Sequence, residues 1–316
     1  MSAHSGYHFL LTPAEFIDCD CYELLPGCVI RKASEGEILH IKGLIKRTNG
    51  NPVFYPPYEY HVRPIEDAAR NRIEYVPEPL PPERWQYWVL SWSGSAPDGC
   101  CLGAALLLIP KSVEIGFSVE YNSKGEHSRS TWQGPALSSF YELPAWSRLP
   151  AKISKSDLDP LKSIYDSLVS ITASDSYIIR AVVRFGETYY LPRSSELVVI
   201  ALFSVIESLV SHAPVVKDSS DSLTHQLRTK LPLLGRRFHP ELTHKVHFPS
   251  LEEDKLWSKL YSLRSQIVHG GAPRFTHDFK KLGDLNAVIG YLRETAKSLL
   301  RLSLKEPQLM EDLKQC

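Results

Sequence analysis

Apolar residues in the second half of the chain recur at intervals of three and four positions, and this spacing is the strongest restriction on what the sequence folds into. One set is Leu158, Leu161, Ile164, Leu168 and Ile171, and further sets lie at 178–189, 193–212, 223–234, 252–269 and 282–299. Each set places an apolar stripe along a helix, which is buried by packing against other helices. Residues 151–316 are therefore predicted to form an all-α helical bundle, with segment 193–212, apolar nearly all round, at its centre.

The first half has a different composition, which predicts a mixed α and β domain over residues 1–150. It holds 15 of the 23 prolines and five of the six tryptophans. Alternating apolar residues predict a strand at 113–121. Segment 84–92 is predicted as a second strand, and 101–109 is compatible with a buried one. Ser34 and Glu37 form a capping box that begins a helix, and eight prolines within 50–83 predict a long extended loop. The predicted fold class is therefore α+β, with the domain boundary near Pro150.

Charge and cysteine content exclude several classes of protein. Lys plus Arg and Asp plus Glu each total 36, so the chain carries neither a polybasic coat nor an acidic tail. Six cysteines in 316 residues exclude a disulfide scaffold.

The longest apolar run, Cys100 to Ile109, is shorter than the ~20 residues of a membrane span. Residues 1–11 lack the features of a signal peptide, so a cytoplasmic protein is expected.

The most informative segment lies inside the predicted bundle, at residues 260–270, where the sequence reads Leu-Tyr-Ser-Leu-Arg-Ser-Gln-Ile-Val-His-Gly. Arg264 precedes His269 by five residues, and Gly270 and Gly271 then signal the end of a helix. Upstream, the central apolar helix carries Glu207 near its end. This order and spacing resemble the HEPN superfamily, and within it the Apea-like branch, whose signature is a Tyr-x-x-Arg-Ser-x-x-x-His-Gly-like segment after such a helix.

The resemblance covers roughly residues 155–305 and implies a helical bundle that forms a homodimer. It implies an endoribonuclease that needs no metal or other cofactor, of the kind that acts in antiviral defence or stress-induced growth arrest. Arg264 and His269 are then the catalytic residues, with Tyr261, Ser265 and Glu207 in supporting roles. Ser265 stands where many active members carry Asn, Asp or His. Domain order suggests that residues 1–150 are a sensor or regulatory domain that binds a ligand or a protein.

The chemistry of RNA cleavage matches these residue types. One group must take the proton of the 2′-OH, another must protonate the leaving 5′-oxygen, and positive charge must stabilise the transition state. Histidine transfers protons near its pKa of ~6.5, and arginine offers a charged fork for phosphate oxygens. Residues five apart on a regular helix lie ~140° apart, so Arg264 and His269 of one protomer do not share a face. A two-fold dimer would bring both pairs to one cleft and give 2′,3′-cyclic phosphate and 5′-OH ends.

An alternative interpretation remains open, a non-catalytic dimerisation or RNA-binding protein in which Arg264 and His269 cap a helix end or pair with a carboxylate. Glu207 likewise has two interpretations. In the functional interpretation it holds Arg264 in position or closes a polar network beneath the cleft. In the other it belongs to a solvent-facing polar stripe with Ser204, Ser208 and Ser211. The basic segment 217–247 is a candidate groove for an RNA backbone, and a solvated helix face would have the same composition. Its candidate RNA-binding residues are Arg228, Lys230, Arg236 and Arg237.

Metal and nucleotide motifs are missing from the sequence. Cys19, Cys21 and Cys28 have no obvious fourth ligand, and the histidines at 239, 244 and 247 match no standard zinc spacing. The sequence contains no Gly-rich phosphate loop, no Gly-x-Ser-x-Gly elbow and no His-Glu-x-x-His. No metal and no cofactor are therefore expected.

Overall fold

A computed structural model describes residues 5–49, 58–67, 72–132, 151–171, 176–212 and 222–315. The chain divides into two compact units, Met1–Tyr165 and Asp166–Cys316. The first is rich in sheet and the second is helical, which confirms the predicted α+β class. The division lies beyond the predicted boundary near Pro150, and residues 147–150 are outside the described residues.

The first unit contains ten strands and four α-helices within the described residues. The strands are β1 (Ser5–Leu10), β2 (Ala14–Phe16), β3 (Cys21–Leu25), β4 (Cys28–Lys32), β5 (Tyr60–Asp67), β6 (Arg72–Pro79), β7 (Trp88–Ser93), β8 (Ile115–Tyr121), β9 (His127–Trp132) and β10 (Ala151–Ile153). The helices are α1 (Glu35–Asn49), α2 (Gly99–Leu108), α3 (Lys155–Leu158) and α4 (Leu161–Ser170), the last of which crosses into the second unit.

Six of these strands form one antiparallel sheet in the order β3-β4-β7-β1-β8-β9. Strands β2 and β10 pair in parallel, and β5 pairs with β6 in antiparallel register. Tyr7 and Phe9 of the central strand β1 form a core with Ile41 and Ile45 of α1. The capping box at the start of α1 is present as predicted, because the Ser34 N–H donates to Glu37 Oε2 and the Glu37 N–H donates to Ser34 Oγ.

The structure decides one open assignment in this unit and contradicts one prediction. Segment 101–109 is not a strand but the body of α2. Its N-cap Asp98 accepts a hydrogen bond from the Cys101 N–H at 2.9 Å, and α2 contains no β-branched residue to favour a strand. The predicted loop over 50–83 contains the β5–β6 ladder. In an antiparallel ladder only every second residue pair exchanges backbone hydrogen bonds. Pro64, Pro77 and Pro79 all lie in the other pairs, so no proline occupies a position where the ladder needs an N–H donor.

His8 lies on the face of the sheet opposite Tyr7 and Phe9, because side chains alternate along β1. It is 3% exposed, its ring lies 4.5 Å from that of Trp92, and among the described residues neither ring nitrogen has a hydrogen-bond partner. A Cβ on Gly6 would lie 2.4 Å from the Trp92 ring, so this packing needs glycine at position 6. Burial lowers the pKa of His8 to about 4.

The helices of the second unit follow the predicted apolar sets. They are α5 (Tyr177–Glu187), α6 (Glu196–Val210), α7 (Leu223–Gly235), α8 (Glu253–Val268), α9 (Leu285–Lys305) and α10 (Pro307–Gln315), of which α10 was not anticipated. Helix α6 is central and packs against α5, α7, α8, α9 and α10. Its buried residues lie within an arc of ~160°, and Leu197 and Ser204 on the opposite side are exposed, so the helix is less enclosed than its apolar sequence predicts. No helix in the described part of the chain combines the length and apolar character that crossing a bilayer requires.

Candidate active site

Helix α6 carries one carboxylate into the interior of the second unit. Glu207 lies near the end of α6 with a side chain that is only 17% exposed. Of the stripe predicted around it, Ser204 is exposed and Ser211 is buried, while the Ser208 hydroxyl donates to the carbonyl of Val205 at 2.7 Å. Glu207 is thus half-buried between the solvent and the helix interface.

Arg264 of α8 provides the charge opposite Glu207. Arg264 Nη2 lies 3.6 Å from Glu207 Oε2, a contact between charges that is longer than a hydrogen bond. Burial raises the pKa of Glu207, and the Arg264 charge partly opposes that increase. Glu207 Oε1 and Arg264 Nε are buried, and neither has a hydrogen-bond partner among the described residues. The structure therefore brings together the two residues that the resemblance places in one site.

One aromatic ring lies against the Arg264 guanidinium. Its Cζ atom lies 5.5 Å from the centre of the Tyr261 ring, within the range of a cation–π contact. The Tyr261 ring packs edge-on against Phe203 of α6 at 6.3 Å, and Phe203 also packs edge-on against Trp257. The packing of α6 against α8 therefore places a guanidinium that is 26% exposed beside a half-buried carboxylate.

His269 is the C-cap of α8. Its backbone N–H donates to the Ser265 carbonyl at 3.1 Å. Gly270, at φ +76°, donates to Ile267, and Gly271 donates to Gln266, which is the Schellman pattern of helix termination. This motif ends α8 where the two glycines predict it, and it leaves the His269 side chain exposed to solvent.

Arg264 and His269 lie on different sides of α8. At 100° per residue their directions differ by ~140°, as predicted for one protomer. Ser265 follows Arg264 with a half-buried side chain, and in the described structure Tyr261 contacts the guanidinium rather than the imidazole. Within one chain the candidate site has positive charge beside Glu207 and a separate, exposed imidazole at the helix end.

The basic residues predicted to bind RNA do not form one positive surface. Lys230 is 6% exposed and its Nζ donates to the Val210 carbonyl at 3.1 Å, so it is not available to a phosphate on the surface. This corrects the prediction for Lys230, because the amphipathic pattern of α7 turns that residue inward. Arg237 is paired with Glu306.

Arg228 and Arg236 line a cavity of about 600 Å³ between α7 and the start of α8. Three carboxylates, Glu252, Glu253 and Asp254, line the same cavity. The arginine charge is therefore offset locally, which weakens long-range attraction of a phosphate backbone. Lys217, in the same predicted segment, lies outside the described residues.

No group of three His, Cys, Asp or Glu residues among the described part of the chain is arranged to hold a metal ion. His244 Nε2 lies 3.1 Å from the Leu251 carbonyl, and the His247 ring packs against Tyr291 at 5.6 Å. The N-terminal cysteines form no disulfide, and Cys28 is buried while Cys21 is exposed.

A second group of titratable residues, in the first unit, was not predicted from the sequence. The Tyr7 hydroxyl lies 3.3 Å from His40 Nδ1, and the His40 and His127 rings meet edge-on at 5.1 Å. Burial, followed by the effect of Tyr121, raises the pKa of Tyr7. These residues come from four different elements, so their spacing along the chain carries no signal.

No model of a known protein family matches this chain, and neither a curated protein nor a solved structure matches it.

Proposed function

We propose that the chain is a metal-independent endoribonuclease of the HEPN type, of the kind that acts in antiviral defence or stress-induced growth arrest. The observation that carries the proposal is the placement of Arg264. Its guanidinium lies beside Glu207 and Tyr261, on the same helix whose end presents an exposed His269. An arginine held by a carboxylate and a ring keeps a fixed direction, which a phosphate-binding group needs.

The proposed reaction uses a two-fold dimer, because one protomer separates its two catalytic residues. The 2′-oxygen attacks phosphorus while His269 of one protomer takes the 2′-OH proton. The bond from phosphorus to the 5′-oxygen breaks, and His269 of the second protomer donates the proton to that oxygen. Both Arg264 side chains stabilise the added negative charge. The products are a 2′,3′-cyclic phosphate and a 5′-OH.

The test is cleavage of total RNA and tRNA by the purified full-length protein in EDTA, with analysis of the product ends. His269→Ala and Arg264→Ala are compared with His277→Ala, which removes another exposed histidine of the same unit. We expect cleavage to fall by about 100-fold or more in the first two variants, because His269 transfers a proton and Arg264 stabilises the added charge, and each contribution is of that order. The control should cleave normally.

Unchanged cleavage by His269→Ala, or cleavage that stops in EDTA, contradicts the proposal. RNA binding with no cleavage favours the alternative, a non-catalytic dimerisation or RNA-binding module. Dimerisation is tested separately, by measuring activity per chain as the protein is diluted. Activity from a composite site should fall below the dissociation constant of the dimer.

A regulatory role for the first unit is part of the same proposal and rests on domain order. Such an enzyme must be restrained in healthy cells, and a ligand or protein that binds the first unit is the proposed source of that restraint.

A further inference from the structure

A second surface of α8 carries positive charge with no carboxylate in its lining. It is an open groove of about 440 Å³ and is called the lysine groove below. Its lining residues are Leu251, Lys255, Ser258, Lys259, Ser262 and Lys281. Three ammonium groups and two hydroxyl groups are all donors suited to phosphate oxygens.

The groove follows from the helical repeat of α8. Lys255, Ser258, Lys259 and Ser262 are spaced three and four apart and therefore share one face of the helix. Lys281 reaches the groove from the short 3₁₀ turn Lys280–Leu282. The Lys259 Nζ lies 5.5 Å from the centre of the buried Phe279 ring, a contact that limits the positions of this ammonium group.

His269 continues the same face of α8. It lies seven residues beyond Ser262, which is close to two full turns, so the two residues differ by only ~20° in direction and ~10 Å along the axis. Lys255 is ~21 Å from His269 along the helix. Arg264, by contrast, lies ~160° away from Ser262 around the helix.

The two flanks of α8 therefore differ in local charge. The cavity with Arg228 and Arg236 includes three carboxylates, whereas the lysine groove includes none. A polyanion is attracted by unopposed positive charge, and single-stranded RNA carries negative phosphates at regular intervals along its backbone.

We infer that the lysine groove binds the phosphate backbone of single-stranded RNA and directs it along α8 toward His269. This inference rests on the proposed function, for which it names the path of the substrate. It assigns backbone contacts to Lys255, Lys259 and Lys281 in place of the arginines of the neighbouring cavity.

The test measures binding of the full-length protein to a fluorescent 12-nucleotide oligouridine with 2′-O-methyl groups. This RNA lacks the 2′-OH nucleophile, so binding is measured apart from cleavage. The triple variant Lys255→Gln, Lys259→Gln, Lys281→Gln is compared with Arg228→Gln, Arg236→Gln, Arg237→Gln, which removes the same number of charges. Binding is measured over a series of salt concentrations, and circular dichroism and thermal unfolding monitor the fold of each variant.

We expect the lysine variant to bind about 10-fold or more weakly in low salt. The slope of log K against log salt should also become smaller by about 2, because each phosphate contact with a single strand contributes about 0.7. The arginine variant should keep nearly the wild-type slope. A triple Lys→Arg variant retains the charge and should restore binding.

Wild-type affinity and slope in the lysine variant, or equal losses in both triple variants, overturn the inference. Failure of the wild-type protein to bind the oligonucleotide in low salt overturns it as well. Lysine-dependent binding of polyglutamate without binding of RNA also overturns the inference, since the occupant is then an acidic protein segment. Normal cleavage by the lysine variant overturns the inference and leaves the proposed ribonuclease intact. Lysine-dependent binding without any cleavage supports the inference about the groove and contradicts the proposed ribonuclease.

Discussion

In the sheet unit, His8 is buried against Trp92, and in the described structure its ring nitrogens have no hydrogen-bond partner. In the helical unit, Glu207 is half-buried and lies 3.6 Å from the charged group of Arg264. Both are polar groups removed from water, and only the second has a partner of opposite charge. His8 therefore affects stability through its titration, whereas Glu207 also orients the neighbouring guanidinium of Arg264.

The two groups have opposite effects on the pH dependence of stability. The pKa of folded His8 lies below its ordinary value, so the unfolded chain binds more protons and stability rises as the pH rises between about 4 and 6.5. Burial raises the pKa of Glu207, so the folded chain holds its proton longer. Its contribution to stability therefore falls as the pH rises above 4.5.

The largest expected effect is at His8. Between pH 7 and pH 4, the free energy of unfolding of the first unit should lose about 3 kcal/mol through this residue, since one pKa unit corresponds to about 1.4 kcal/mol. The variant His8→Leu should remove most of this dependence. Urea unfolding followed by tryptophan fluorescence measures it, because five of the six tryptophans lie in the first half of the chain.

The control for His8 is the same substitution at the exposed His61, which should leave the pH dependence unchanged. If His8→Leu and the wild-type protein lose stability equally on acidification, the titration of His8 is not the cause.

A smaller effect is expected at the charge pair of the helical unit. The variant Arg264→Met leaves the Glu207 carboxylate without an opposite charge, and should lower the free energy of unfolding by about 2 kcal/mol at pH 7. The loss should shrink as the pH falls toward 4.5, because Glu207 then becomes neutral. Chemical denaturation followed by circular dichroism measures both effects.

The double variant Arg264→Met, Glu207→Gln tests whether the lost stability comes from the isolated carboxylate. It should regain most of that stability, since glutamine carries no charge. If the double variant is as unstable as Arg264→Met, packing of the arginine against Tyr261 explains the loss instead of the ion pair.

The smallest expected effect compares helix caps in the two units. Ser34→Ala breaks the reciprocal capping box of α1 and should cost about 1 kcal/mol. Ser222→Ala removes a single bond, which the His225 N–H donates to Ser222 Oγ at 3.3 Å, and should cost about 0.5 kcal/mol. Thermal unfolding of the two variants gives the order, and the reverse order would show that the reciprocal bonds of the box add nothing.

Sequence reasoning worked where the relevant interactions are local. The apolar spacing located most helices of the second unit, and the paired glycines located the end of α8 and the position of His269. Alternation located β8, and one short motif located the capping box of α1. In each case residues within a few positions of one another fix the backbone, so the pattern and the structure report the same physics.

Contacts between segments that are far apart in the chain were not predicted from the sequence. The proline-rich β5–β6 ladder depends on pairing that places prolines only in alternate pairs. Lys230 carries a charge typical of a surface, yet its ammonium group donates to a carbonyl on another helix. The acidic residues that offset Arg228 and Arg236 belong to a different helix from the arginines.

The sequence by itself determined the α+β class, the central apolar helix and the angular separation of Arg264 from His269, because each depends only on the repeat of a helix or strand. The tertiary structure decided that Glu207 contacts Arg264, that the arginine cavity is offset by carboxylates, and that the lysine groove is not. These three features depend on which helices pack together. Charged groups interact strongly only at short distances, and only the packed fold brings residues of different helices that close.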